Sequence, residues 1–328
     1  MSRCRFTALA LVLTAATAQP ARAINPDYLP NDTEAVITIN LRQMLGAPIA
    51  KGNKDLVDRL KALAEERLTE IGIRRYLEKI DFDLFRDLET VTIASAGGKS
   101  ADFVLLEGTF NAAKIQMIAL EASRDHSDTI KPILIGPQRA LELRAVAESK
   151  PIYAGLVGKD KLVAASSRER FSEAVTRLNG NPYSKLKKEL RDLLMSPDAP
   201  KSVHLVATGA GLAKLVDGAS VNDIGALQNV LKEINVLNVG VTADKSLAFA
   251  IDVQTKDKQS TAEMVQLTSV ALAGAKLLLK KNAEKDARWA PALDVVNSIH
   301  VTSQGTQFVV RGEMSAAALE AIFKNAAK

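Results

Sequence analysis

Short runs of alternating apolar and polar residues recur along the chain, and they come in pairs joined by brief polar turns. Val91 to Leu106 holds two such runs around Gly98-Lys99-Ser100-Ala101-Asp102-Phe103, and Val236 to Asp252 holds two around Asp244-Lys245-Ser246-Leu247-Ala248-Phe249. Alternation sends successive side chains to opposite faces of a strand, so each pair predicts a β-hairpin. A second hairpin follows in each half. Ile152 to Val157 meets Leu162 to Ala165 across Gly158-Lys159-Asp160-Lys161, and Ser298 to Thr302 meets Gln307 to Arg311 across Ser303-Gln304-Gly305-Thr306. Ser166, with Glu169 three residues on, predicts a helix start after the first of these; Ser315 precedes an alanine-rich helix after the second.

The spacing of these elements predicts an internal duplication. Lys99 to Lys245, Phe103 to Phe249 and Leu162 to Phe308 are all offsets of 146 residues. The first strand of each half, Ala35 to Asn40 and Ser202 to Ala207, recurs at 167, so the first half carries 21 extra residues, which the charged helical stretch near 55–78 supplies. The expected fold is α+β, with two similar repeats, each an antiparallel sheet built from hairpins and backed by helices; the pattern leaves open whether the two sheets stay separate or merge into one. Residues 24–180 form the first repeat and 201–328 the second. Between them, 181–200 hold a connecting helix from Tyr183 to Met195 and a linker, set off by Asn179-Gly180-Asn181-Pro182 and Ser196-Pro197-Asp198-Ala199-Pro200. The nearly continuous apolar run from Met264 to Leu279 falls short of a ~20-residue membrane span and contains Lys276. It predicts the most buried helix of the second half, begun by Ser260 and Glu263.

Residues 1–23 read as a signal peptide: Arg3 and Arg5, the apolar run Phe6 to Ala16, then Ala21-Arg22-Ala23, with cleavage expected before Ile24 or, at Ala16-Thr17-Ala18, before Gln19. Cleavage changes two conclusions. The single cysteine, Cys4, leaves with the leader, so the mature chain has no disulfide and no cysteine-ligated metal. Three basic residues leave too, lowering the net charge from +5 to +2. Lysines at 185, 187 and 188 are followed by Glu189 and Asp192, a solvated helix face, and aromatics make up only 4% of the chain, so nucleic-acid binding loses support.

Candidate chemistry is sparse. Gly97-Gly98-Lys99-Ser100 resembles the end of a phosphate loop but lacks the glycine that would stand at Ile93 and the helix that should follow, so a hairpin tip is the better reading. Gly209-Ala210-Gly211-Leu212-Ala213-Lys214 joins a strand to a helix as a dinucleotide fingerprint does, yet Lys214 stands where the third glycine belongs. His126 lies in a polar loop. His204 and His300 stand on the more polar faces of their strands and would form a metal site only if they met each other and a carboxylate. No Gly-x-Ser-x-Gly elbow is present, and the carboxylates Asp81 and Asp83 read as surface charge beside Arg86 and Asp87. No catalytic residue, cofactor or metal is expected.

The segment Tyr28-Leu29-Pro30-Asn31-Asp32-Thr33-Glu34-Ala35-Val36-Ile37 resembles the opening of secreted bacterial proteins of unknown function of the planctomycetal type, in which a Leu-Pro-x-Asp segment leads into the first strand. The resemblance implies export, to the periplasm or outside the cell, and no defined activity. The expectation is therefore a non-catalytic interaction or scaffold protein of the cell envelope with a protein or envelope partner, no nucleic acid and no transmembrane segment after cleavage. The alternatives are a protein that binds a small apolar ligand, or an enzyme with an unrecognised site.

Overall fold

The computed structural model describes residues 24–70, 74–97, 101–144, 150–180, 185–195, 201–216 and 230–326. The leader with Cys4, the tip Gly98-Lys99-Ser100, Tyr183, the Asn181-Pro182 turn and the break at 196–200 lie outside them. After a short 3-10 turn at Pro26–Tyr28, β1 (Ala35–Asn40) leads into the helices α1 (Leu41–Gly46), α2 (Pro48–Gly52), α3 (Lys54–Glu70), α4 (Arg74–Lys79) and α5 (Leu84–Asp87). Strands β2 (Leu88–Ser95) and β3 (Phe103–Gly108), helix α6 (Ala112–Asp125), strands β4 (Ile130–Ile135), β5 (Gln138–Leu143), β6 (Ile152–Val157) and β7 (Lys161–Ala165), and helix α7 (Arg168–Leu178) complete the first half. Helix α8 (Lys188–Leu194) is followed by β8 (Val203–Thr208), α9 (Gly209–Val216), β9 (Ile234–Ala243), β10 (Ser246–Thr255) and α10 (Lys258–Lys285). A 3-10 turn at Ala287–Trp289, α11 (Ala290–Asn297), β11 (His300–Gln304), β12 (Gln307–Ser315) and α12 (Ala316–Ala326) close the chain.

All the strands pair antiparallel into one 12-stranded sheet, in the order β11-β12-β10-β9-β8-β1-β2-β3-β7-β6-β5-β4. The sheets of the two halves are thus merged into one, the arrangement that the sequence left open. The first strands of the two halves, β1 and β8, pair directly, with Ala35 opposite Ala207 and Ile37 opposite Leu205. Outward from that seam the strand order is the same on both sides until β5 and β4, which have no counterpart among the described residues of the other half.

The two halves bury opposite faces of this sheet. In the first half Val36, Ala94, Phe103 and Val163 point toward α7 and α8 and form one core with Phe171 and Leu190; Val206 and Val236 join it from across the seam. In the second, Val253, Phe308 and Val310 point the other way and pack with Met264 of α10. The two halves also differ by one residue in register. Phe103 stands opposite Ala165, but Phe249, at the 146-residue offset, stands opposite Gly312 and not Arg311. The residues of β3 and their counterparts in β10 at that offset therefore face opposite sides of the sheet. Phe103 is fully buried and Phe249 only half-buried, so the two do not occupy equivalent core positions.

Several local expectations change. Ser167, not Ser166, caps α7 by accepting a hydrogen bond from the Arg170 N–H at 3.2 Å, while the Ser166 hydroxyl bonds Asp102. Asp257 caps α10, accepting from the Ser260 N–H at 2.8 Å, so that helix begins earlier than Ser260. The β4–β5 hairpin is an addition: Pro132 interrupts its apolar alternation, and Gly136 makes the turn with φ 58°. Helix α8 is more than a connector, because Leu190 and Leu194, with Leu186 just ahead of it, are buried in the first core.

Two threonines face each other across β1 and β2, Thr38 and Thr92, both buried with hydroxyls that have no partner. An unmet buried hydroxyl costs about 1–3 kcal/mol, and valine keeps its shape. Thr92→Val is expected to raise unfolding free energy by about 1 kcal/mol, read as a higher urea midpoint with unchanged slope.

Candidate functional site

Among the described residues, neither glycine motif has the surroundings of a phosphate cradle. The residues after Gly98-Lys99-Ser100 run into β3 and not into a helix, and the Asp102 carboxylate accepts from the Ala96 N–H at 2.8 Å. At Gly209-Ala210-Gly211 a helix does begin, but its N-terminus is already served from within the chain. The Thr208 hydroxyl accepts from the Gly211 N–H at 3.0 Å and donates to Glu34, whose carboxylate also takes the Lys187 ammonium at 2.7 Å. Glu34 supplies the negative charge that an incoming phosphate would bring to a helix start. Glycine is needed at both positions for close packing: a Cβ on Gly211 would lie 2.9 Å from the Glu34 carbonyl oxygen, and one on Gly209 would fall on that of Ile234.

The histidines do not converge. His126 follows α6, where its Nε2 meets Arg75 at 2.7 Å and its ring stands edge-on to Tyr76. It ties α4 to α6. His204 and His300 share a face and a row running His204, Gly240, Ala250, Arg311, His300 across β8, β9, β10, β12 and β11. Four strand steps hold them about 19 Å apart, beyond any shared ligand. His204 is met at 2.8 Å by Asn238. Among the described residues, no cluster of three metal-ligating side chains exists. Gly240 and Ala250 leave an open hollow of about 400 Å³ on this sheet face, with Lys201, His300, Arg311 and Glu313 around it. Asp81 and Asp83 are engaged locally: Arg86 reaches Asp81, and Asp83 caps α5.

The feature that departs most from expectation is α10. The run Met264 to Leu279 was expected to form the most buried helix of the second half, yet in the 28-residue helix that contains it only Ser260, Thr261 and Met264 are buried. Leu267, Val270, Leu277 and Leu278 are 61%, 67%, 71% and 61% exposed. With Ala271 and Gly274, also exposed, they form a stripe at helical spacing along the outer face, while Val265 packs inward on the sheet core. The inner side is held by β10, β11, β12 and α11. Both ends are pinned. The Ser260 backbone N–H holds the Asp257 carboxyl below the usual range, and the Arg288 side chain does the same for Asp286, which caps the turn after the helix. Lys280, Lys281, Lys285 and Arg288 gather at the C-terminal end beside the half-exposed Trp289.

Periodicity could not separate this helix from a core helix, because its apolar residues run almost all the way round. The signal that separates them lies just past the run, in Lys280-Lys281, Lys285 and the sole tryptophan, a basic and aromatic border that a buried helix does not need. Among the described residues, α10 alone is long and apolar enough to cross a membrane, and 6% of its apolar window is buried.

No family model matches the chain, and no curated protein matches it. Solved structures of TP0453 share its fold. Crystal form I superposes with a TM-score of 0.50 at 14% identity, covering 93% of this chain and 98% of that one. Crystal form III gives 0.51 at 13%, covering 93% and 99%, and crystal form IV gives 0.50 at 13%, covering 92% and 97%. At this identity the likeness is one of fold: an antiparallel sheet with helices, extending over nearly the full length of both chains.

Proposed function

We infer that the protein is an exported, non-catalytic interaction protein of the cell envelope, and that the outer face of α10 is its docking surface. One observation carries the reading: a well-formed 28-residue helix, packed on the sheet along one side, presents Leu267, Val270, Leu277 and Leu278 to solvent on the other. A contiguous exposed apolar stripe of this kind marks an interaction site more often than an incidental surface. Export is supported by the leader pattern in residues 1–23. A small apolar ligand has less to support it, since the hollow on the sheet face is bordered by Lys201, His300 and Arg311. The descent of the two halves from one duplicated unit belongs to the same proposal, supported by the matching strand order on either side of the β1–β8 seam.

The test separates docking from folding. In a Leu277→Glu/Leu278→Glu double variant both side chains already face water, so unfolding free energy is expected to stay within about 1 kcal/mol of wild type. In fractionated cells the wild type is expected with the envelope and the variant in the soluble fraction. A variant that unfolds would show that the stripe is core; a folded variant that stays with the envelope would remove the docking role.

A further inference from the structure

We propose that the outer face of α10 docks on the surface of an anionic lipid bilayer, lying in the plane of the headgroups with its basic end and Trp289 at the water boundary. This rests on the reading of α10 as a docking surface and names its occupant. Three observations select lipid. The first is the chemistry of the face: apolar side chains at 267, 270, 277 and 278 run directly into Lys280, Lys281 and Lys285, with Arg288 just beyond. The three lysines make no ion pair among the described residues, and Arg288 is held by Asp286 at 2.7 Å. Apolar burial beside lysines that can extend to phosphates is the pattern of a helix resting in a headgroup layer. The second is Trp289, 45% exposed in the turn that follows the helix, directly after Arg288; an amphipathic ring is favoured at a membrane interface.

The third is size. A stable dimer buries about 800 Å² and 20–30 residues on each side, whereas this stripe is six residues on one helix. A bilayer sets no such minimum and adds attraction between its anionic headgroups and each cation. The helix is about 42 Å long, enough to cross a bilayer, but crossing would strip its inner side from β10, β11, β12 and α11. Lying on the surface keeps that side packed and buries only the side that has no partner among the described residues.

Trp289, the only tryptophan, makes the test direct. The mature protein is mixed with protein-free vesicles of phosphatidylglycerol and phosphatidylcholine, and binding is followed by tryptophan emission and by co-sedimentation. The expected result is a blue shift and sedimentation that weaken at high salt and nearly vanish on phosphatidylcholine alone. Lys281→Glu/Lys285→Glu should weaken partitioning roughly thirtyfold or more. Leu277→Glu/Leu278→Glu should abolish it while leaving thermal unfolding unchanged. Failure of the wild type to bind these vesicles would overturn the proposal. If it then still fractionates with the envelope through the same leucines, the docking reading stands with a protein partner; if it sediments instead as a dimer that these substitutions dissociate, the occupant is a second copy.

Discussion

Phe103→Ala is expected to lower unfolding free energy by about 3–5 kcal/mol, while Phe249→Ala, 146 residues on, should cost about 1–2 kcal/mol. Phe103 is fully buried in the first core, in register with Ala94 and Ala165 and on the face covered by α7. Its truncation removes an aromatic side chain from a space that the backbone of three paired strands cannot collapse to fill. Phe249 points to the opposite face, half-buried, with its ring over Gly312 on the neighbouring strand β12. Urea unfolding of the two single variants gives the comparison. Equal losses would mean that the difference in burial between the two positions has no energetic consequence.

That asymmetry marks the limit of what the sequence reveals about the fold. The hairpins were legible because each of their strands alternates cleanly and the turns between them are short and polar: Leu162–Ala165, Gln307–Arg311 and the pair around Asp244-Lys245 all fall inside observed strands. The offset of 146 aligned the right elements, β3 with β10 and β7 with β12. It could not report register, because register depends on which residues of two strands meet, and a one-residue change leaves the pattern along each strand intact. The joining of two sheets into one could be named as an alternative but not decided. It depends on β1 and β8 pairing edge to edge across about 170 residues, and both strands are apolar enough to be read as central or as edge strands.

At the candidate site the sequence supplied the helix but not its exposure. Met264 to Leu279 is apolar on every side, which is the composition of a buried helix, and the outcome depended on what the sheet could cover. The second half gives α10 the face of β10, β11 and β12 on one side and leaves Leu267 to Leu278 facing outward. The histidines could be placed only strand by strand. Alternation put each on the more polar face of its own strand, but the strands that separate β8 from β11 are a matter of topology, and they set the imidazoles too far apart to cooperate.

Gly209→Ala is expected to destabilise by about 3 kcal/mol or more, although glycine to alanine within a helix ordinarily stabilises by up to about 1 kcal/mol. Gly209 opens α9 where the chain leaves β8 and passes beneath the segment leading into β9, and a Cβ there would fall on the Ile234 carbonyl oxygen and within 3.2 Å of that of Leu231. Both obstacles are backbone, so no side chain can rotate away. Relief requires parting β8 from β9, which pair from Val203 opposite Val241 to Thr208 opposite Val236. It would also disturb the turn in which Thr208 receives the Gly211 N–H and binds Glu34. Gly274→Ala supplies the internal comparison, because it lies in the middle of α10 with nothing within 4 Å of its added methyl group. That variant should gain about 0.5–1 kcal/mol. Urea midpoints measured together should therefore move in opposite directions. If Gly209→Ala proved neutral, the glycines of this turn would be dispensable to packing, and the case for reading them as structural would fail.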